Sequence, residues 1–185
     1  MFAGGATMVG YSFARCNGYM STTTTIATAT LMGATFATAM VAGLLFSFAH
    51  SVLPGLGTLD DRGFLIAFQR IDAAISNPWM MATFLGSSAL TLVTLLLHLS
   101  DRSHAVPWLV VALVLAVATA MITGAIHLPL NAAIQDAAPA LLDVADLRSR
   151  FEDRWVRWNV VRTVTSSGSL VSLCWALFVS GRSAG

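Results

Sequence analysis

ATATLMGATFATAMVAGLLFSFAHS, residues 27–51, runs without a single Asp, Glu, Lys or Arg. A helix rises 1.5 Å per residue, so a stretch of this length crosses a hydrocarbon core of roughly 30 Å. Outward from it, charge stays absent from Cys16 to Leu59. Three more apolar runs follow, at about 79–99, 108–127 and 159–180. Trp79, Trp108 and Trp158 stand at their starts, where an indole suits the membrane–water interface. The expected architecture is all-α: an integral membrane four-helix bundle occupying residues 27–181, behind an N-terminal segment of residues 1–26.

Composition agrees. Of 185 residues, 56% are hydrophobic and 10% are charged, against roughly 25% charged in a soluble domain. Mean hydropathy is +0.75. So short a chain cannot hide that much apolar surface in a water-facing globule. A net charge of +1 gives no basis for a nucleic-acid partner; the expected partners are the lipid bilayer and a lipophilic small molecule, with room for an oligomer. All ten basic residues are arginine. Cys16 and Cys174 lie near opposite ends of the chain, the second inside an apolar run, which argues against a disulfide framework. Met20 opens the Ser-Thr-rich lead into the first span and is an alternative start to Met1. A cleaved signal peptide is not expected, because the apolar run exceeds a signal core and no clear small-x-small site follows.

The link between spans two and three, Ser100 to Val106, is short and makes them a hairpin. The other two links are long and patterned. In the first, Phe64, Phe68, Ile71 and Ile75 repeat at helical spacing among Arg62, Gln69, Asp72 and Ser76, which predicts an amphipathic helix on the membrane surface or over the bundle. Pro54 and Gly55 are expected to stop span one, and Asn77-Pro78 to end the surface helix. In the second, Pro139 to Asp153 carries Leu141, Leu142, Val144, Leu147 and Phe151, which predicts a helix running into span four. Its acids and arginines read as a solvated face, with Asp146–Arg150 and Asp153–Arg157 at the i,i+4 spacing of surface pairs.

Four crossings bring the first and third links to one side of the membrane. His50, Asn77, His127, Asn131, Asn159 and Arg162 are therefore expected at a common depth. Trp155, Trp158, Asn159 and Arg162 fall at i, i+3, i+4 and i+7 on one helix face, with Ser166 and Ser169 continuing it. A cation at this depth is costly unless it faces the bundle or a wet cavity, so that face should point inward; the alternative is an arginine snorkelling to headgroups. Thr35, Ala39, Gly43 and Ser47 form a small-residue stripe on span one that His50 extends, and such a stripe serves at the least for close packing. Pro129, in His127-Leu128-Pro129-Leu130-Asn131, is expected to bend or end span three. A metal held by His50 and His127, completed by Glu152 or Asp146, is the weaker reading, since neither histidine has a metal-ligand spacing. There is no Gly-rich phosphate loop, Cys-x-x-Cys, nucleophile elbow or haem attachment motif.

Pro54, Gln69-Arg70-Ile71-Asp72 through Asn77-Pro78, Pro129-Leu130-Asn131 and Trp155-x-x-Trp158-Asn159-x-x-Arg162 together resemble the anthrone oxygenase-like family of small four-span membrane proteins. The resemblance covers about residues 30 to 180; at the positions of Asp72 and His127 the family more usually carries asparagine. It implies oxidation of a fused aromatic polyketide by molecular oxygen, with no flavin, nicotinamide or haem. On that reading His127 is the expected base, with His50 second, and Arg162 stabilises the anion. Asn131, Asn159 and Asn77 orient groups, and Trp155 and Trp158 provide flat walls. The competing expectation is non-enzymatic: a membrane protein that binds a lipid or quinone-like ligand, or supports a larger complex. A transporter is a third reading, though four spans are few. Arginine counts place the long links, residues 52–78 and 128–158, in the cytoplasm of a multi-pass cell-membrane protein.

Overall fold

The computed structural model describes residues 5–99, 103–137 and 143–183, with side chains over 22–99, 103–137 and 143–182. Expectations placed on the side chains of Cys16, Ser100, Asp101, Arg102, Pro139, Leu141 and Leu142 lie outside these. The described chain is helical: α1 (Gly5–Ser47), a π-turn (Phe48–Val52), α2 (Leu53–Gly57), α3 (Asp61–Ile75), α4 (Pro78–Leu99), α5 (Val106–Ile122), a second π-turn (Thr123–His127), α6 (Leu128–Asp136) and α7 (Val144–Ser183). Among the described residues four segments are long and apolar enough to cross a membrane: Thr22–Gly57, Pro78–Leu99, Val106–Asp136 and Val144–Arg182. Around the bundle the order is α4, α1, α7, α5, with α4 also meeting α5.

The buried residues explain that ring. Along α1 and its π-turn Ala27, Leu31, Ala34, Thr38, Val41, Leu45 and Phe48 form a row alternating three and four apart, with Ala42 buried beside it. Along α7 Trp155, Asn159, Arg162, Ser166, Ser169, Leu173 and Ala176 form a row with the same alternation, with Phe151 and Ser172 also buried. A 3–4 alternation keeps one narrow seam facing its neighbours in a bundle of gently crossed helices. Within lipid this packing draws on dispersion and interhelical hydrogen bonds rather than on the hydrophobic effect. Close approach is visible between α5 and α7, where a methyl group on Gly168 would stand 3.0 Å from the Leu115 side chain.

The first span corrects the reading of its small-residue stripe. Gly43 and Ser47 face outward, and His50 with them. The packed seam is the Leu31-to-Phe48 row, one residue-step away around the helix. Pro54 does not stop the span either. The chain goes through a π-turn, in which the Leu53 N–H reaches back to the Phe48 carbonyl, and continues helical through Gly57. Pro129 repeats the device: the Leu128 N–H bonds the Thr123 carbonyl, and α6 runs on to Asp136. A proline inside a helix lacks a donor and crowds the carbonyl four residues back. Widening the preceding turn relieves that crowding without breaking the helix.

The long links form a cap over one end of the bundle. Amphipathic α3 begins at Asp60, whose carboxylate accepts from the Gly63 N–H at 2.8 Å. It buries Phe64, Leu65 and Phe68 against Phe48, Leu53, Leu56, Ile134, Phe151 and Trp155. In the second link α6 prolongs span three, and the expected helix is the first half of α7, which enters span four from Val144 without interruption. Arg148 pins the cap. It bonds Glu152 at 2.7 Å, Asp61 at 3.1 Å and the carbonyl oxygens of Leu59 and Gly57, while its guanidinium lies over the Phe64 ring. The sequence pattern marks it only as part of a solvated face. At the opposite end a separate apolar cluster joins Leu31, Ala34, Leu95, Leu109, Ala112 and Leu173.

Candidate functional site

A cavity of about 130 Å³ lies beneath the cap, among the ends of the spans. Each wall comes from a different element. The first span gives Leu44, Leu45 and Phe48; α3 gives Phe68, Asp72 and Ile75; α4 gives Met80, Met81 and Phe84. The second π-turn gives Thr123 and His127, α6 gives Leu128 and Asn131, and α7 gives Trp155 and Arg162. A larger groove of about 500 Å³ runs outside the cap past Pro54, Gly57, Glu152 and Arg157. It is open, and none of the buried polar groups borders it, whereas His127 and Arg162 line the inner cavity.

Arg162 dominates the inner cavity. It is 6% exposed, and no carboxylate pairs with it among the described residues. Its guanidinium donates to Asn159 Oδ1 at 2.9 Å and to Thr123 Oγ1 at 3.2 Å, and its Nε has no partner. Asn159 is in turn fixed by donating to the Leu45 carbonyl at 3.1 Å. The guanidinium carbon sits 5.5 Å from the Trp155 ring, a cation–π distance. The cation is thus held by a carbonyl-anchored amide, a hydroxyl and an indole face, and it keeps hydrogen-bonding capacity free.

His127 is 1% exposed and stands edge-on to Trp155, ring centroids 4.9 Å apart. Neither of its ring nitrogens closes a hydrogen bond of normal geometry. Buried polar atoms normally find partners, so an unsatisfied imidazole on a cavity wall marks a place where a ligand or water would complete the bonding.

The cavity's far edge is a polar clamp between α3 and α6. Asn131 donates to Asp72 Oδ1 at 2.6 Å and accepts from the Trp155 indole N–H at 2.9 Å. Gln135 donates to Asp72 Oδ2 at 3.1 Å and to the Gln69 carbonyl at 3.0 Å, and Gln69 donates to the Ile134 carbonyl. The clamp fixes the surface helix over the cavity and orients the Trp155 plane. Asp72 and Gln135 were not among the expected site residues. Asp72 is a polar position of the amphipathic first link, whereas Gln135 lies outside the segments expected to be amphipathic; only the packing of α3 on α6 brings the two together.

Of the residues expected at one site, His127, Arg162, Asn131, Asn159 and Trp155 are brought together, and three are not. His50 is exposed, bonded through Nδ1 to the Phe46 carbonyl and stacked on the Phe46 ring at 4.2 Å. Asn77 caps the α3–α4 corner, donating to the Ala74 carbonyl and accepting from the Met80 N–H. Trp158 borders an outer groove with Arg154, Arg157 and Val161, because a step of three from Trp155 leaves the seam that Asn159 continues. His50 is exposed on the outer face of its span, whereas His127 is buried on the cavity wall. Glu152 and Asp146 are engaged by Arg148 and Arg150, and no three His, Cys, Asp or Glu gather as metal ligands among the described residues.

These features define a class: a four-span membrane bundle with a capped internal cavity holding an uncompensated arginine and an unsatisfied histidine against a tryptophan. The model of the anthrone oxygenase family matches residues 76–172, more than half of the chain, and the chain belongs to that family. No curated protein and no solved structure matches it. The matched segment contributes Met80, His127, Asn131, Trp155 and Arg162 to the cavity, whereas Leu45, Phe48 and Asp72 come from outside it.

Proposed function

We propose that the cavity binds a lipophilic hydroxylated aromatic compound and promotes its oxidation by molecular oxygen. The carrying observation is the meeting of His127, with unsatisfied ring nitrogens, and Arg162, with no carboxylate partner, on one cavity wall against Trp155. A methylene carbon between two aryl rings and conjugated to a carbonyl is acidic enough for a positioned base to deprotonate. In its neutral form His127 offers one lone pair for that proton. The negative charge moves onto the carbonyl oxygen, giving a phenolate, and Arg162 is placed to stabilise it. The carbanion then gives electrons to O2 and bonds to it, forming a peroxide anion that takes a proton back. Loss of the second methylene hydrogen, with O–O cleavage, releases water and leaves a carbonyl. One O2 supplies the new carbonyl oxygen and the oxygen of the water, so no further reductant enters the balance. Asn159 holds the guanidinium in place, and Asn131 fixes the indole against which the ring system lies.

Oxygen uptake by the purified protein with anthrone tests this. The wild type should consume oxygen well above the spontaneous rate, and Arg162→Ala and His127→Ala should each lose about 10²-fold or more. Equal rates in all three would remove the role assignment. Saturable binding of the aromatic with no turnover would point instead to a ligand-binding protein without chemistry. We further propose that the protein lies in the cell membrane with the capped end in the cytoplasm, where most loop arginines stand. Impermeant thiol labelling, from the outside, of a cysteine substituted at exposed Arg150 would overturn that placement.

A further inference from the structure

The cavity has a mouth, and its position bears on how a ligand arrives. Towards the cap it is roofed by α3, with exposed Ser76 at the α3–α4 corner also on its lining. Phe64, Leu65 and Phe68 of α3 are buried in the cap, and the Asp72–Asn131–Gln135 clamp ties α3 to α6. Sideways the wall is thin. Met81 and Leu128 both line the cavity, yet they are 50% and 58% exposed. Both belong to segments apolar enough to lie in the membrane, so their exposed faces meet lipid. The packing explains the gap: α4 packs on α5, but it makes no comparable packing with the π-turn and α6 that prolong α5. Spans two and three therefore part towards the capped end, where Met80, Met81 and Phe84 of α4 face the cavity across from Leu128.

We propose that this gap between the start of α4 and Leu128 is a lateral portal through which a neutral lipophilic ligand enters from the bilayer, not from water. Size supports the proposal. A cavity of about 130 Å³ is close to one that holds a single benzene ring, roughly 150 Å³. A fused polycyclic ligand therefore fits with one ring against Trp155 and the remainder in the mouth between Met81 and Leu128. Chemistry supports it as well. The mouth carries no charge, so a compound ionised in water is disfavoured at entry, and the charge it acquires inside meets Arg162. The inference rests on the cavity being a ligand site, but not on oxygen chemistry.

The test reads access and requires no turnover. Leu45→Cys, in a Cys16→Ser background, places a thiol on the inner wall; native Cys174, exposed on the outside of α7, is kept as an internal control. In proteoliposomes, N-phenylmaleimide should label the introduced thiol readily, and a membrane-impermeant sulfonated maleimide should not, from either side. Adding Met81→Trp or Leu128→Trp should slow the N-phenylmaleimide reaction at the introduced thiol at least 5-fold and leave that at Cys174 unchanged. Both substitutions sit on an exposed surface, and unchanged Cys174 labelling reports an intact bundle. Rapid labelling of the inner-wall thiol by the charged reagent, or no effect of either tryptophan, overturns the portal. The oxygenase reading is unaffected by that outcome, just as failure to consume oxygen would leave the portal standing.

Discussion

At the scale of single residues, Arg162 poses the main energetic question. A buried cation with neither a carboxylate partner nor full hydrogen bonding is a net cost to folding; replacing such a group by an apolar side chain of similar volume is often neutral or stabilising. Asn159, Thr123 and Trp155 offset part of that cost, but Nε remains unsatisfied. A group that destabilises the fold and remains aimed into a cavity fits a role in binding or chemistry. The expected outcome for Arg162→Met is unfolding stability within about 1 kcal/mol of wild type, measured by thermal or detergent denaturation, together with loss of aromatic binding and oxygen uptake. A loss of several kcal/mol would instead make Arg162 a structural keystone of the bundle.

At the scale of elements, the two π-turns set what each histidine does. Both precede a proline, and both interrupt a span at the level of the cap. A residue advances about 100° around an α-helix, so an altered turn just before Pro54 or Pro129 decides which way the neighbouring imidazole points. His50 is turned outward and His127 inward. The sequence marks each proline but not how the chain accommodates it, because stopping the helix and widening a turn both relieve the same clash. Four spans, the amphipathic first link and the inward face of α7 were legible, since each rests on periodicity or length within one element. The orientation of His50, the Asp72 clamp and the cap role of Arg148 were not, because each depends on contacts between segments far apart in the chain. Pro129→Ala restores a donor and removes the crowding that favours the wide turn. The expected result is a protein that inserts and folds normally, with His127 rotated off the cavity wall and oxygen uptake reduced by about 10-fold or more. The checks are oxygen uptake and reaction of His127 with diethylpyrocarbonate, which a ligand in the cavity should protect in the wild type but not in the variant.

At the scale of the whole molecule, the two ends of the bundle have separate tasks. The capped end holds the cavity, and there water-facing apolar side chains gain from burial in the usual way. The other end is a dry cluster around Leu31, Leu95, Leu109, Ala112 and Leu173, from which spans two and three diverge. Between them, Thr119 and Thr165 share a hydrogen bond at 2.7 Å, and Ser169 donates to the Ala112 carbonyl at 2.9 Å, joining α5 to α7. The α5–α7 pair is thus a stiff wall that carries Arg162, and the apolar end is the pivot about which α4 stands away from it. This division predicts that stability and function respond to different substitutions. Leu109 is fully buried in the dry cluster and remote from the cavity lining, so Leu109→Ala should cost about 2–5 kcal/mol of stability by leaving a void. Oxygen uptake per folded molecule should stay within about 2-fold of wild type, because the lost side chain touches no group that would meet the ligand. Denaturation midpoints and activity, measured on the same preparation below the transition, separate the two quantities. A parallel collapse of both would mean that the pivot and the cavity form one cooperative unit, and that the spacing of α4 from α5 at the capped end is set by packing at the opposite end.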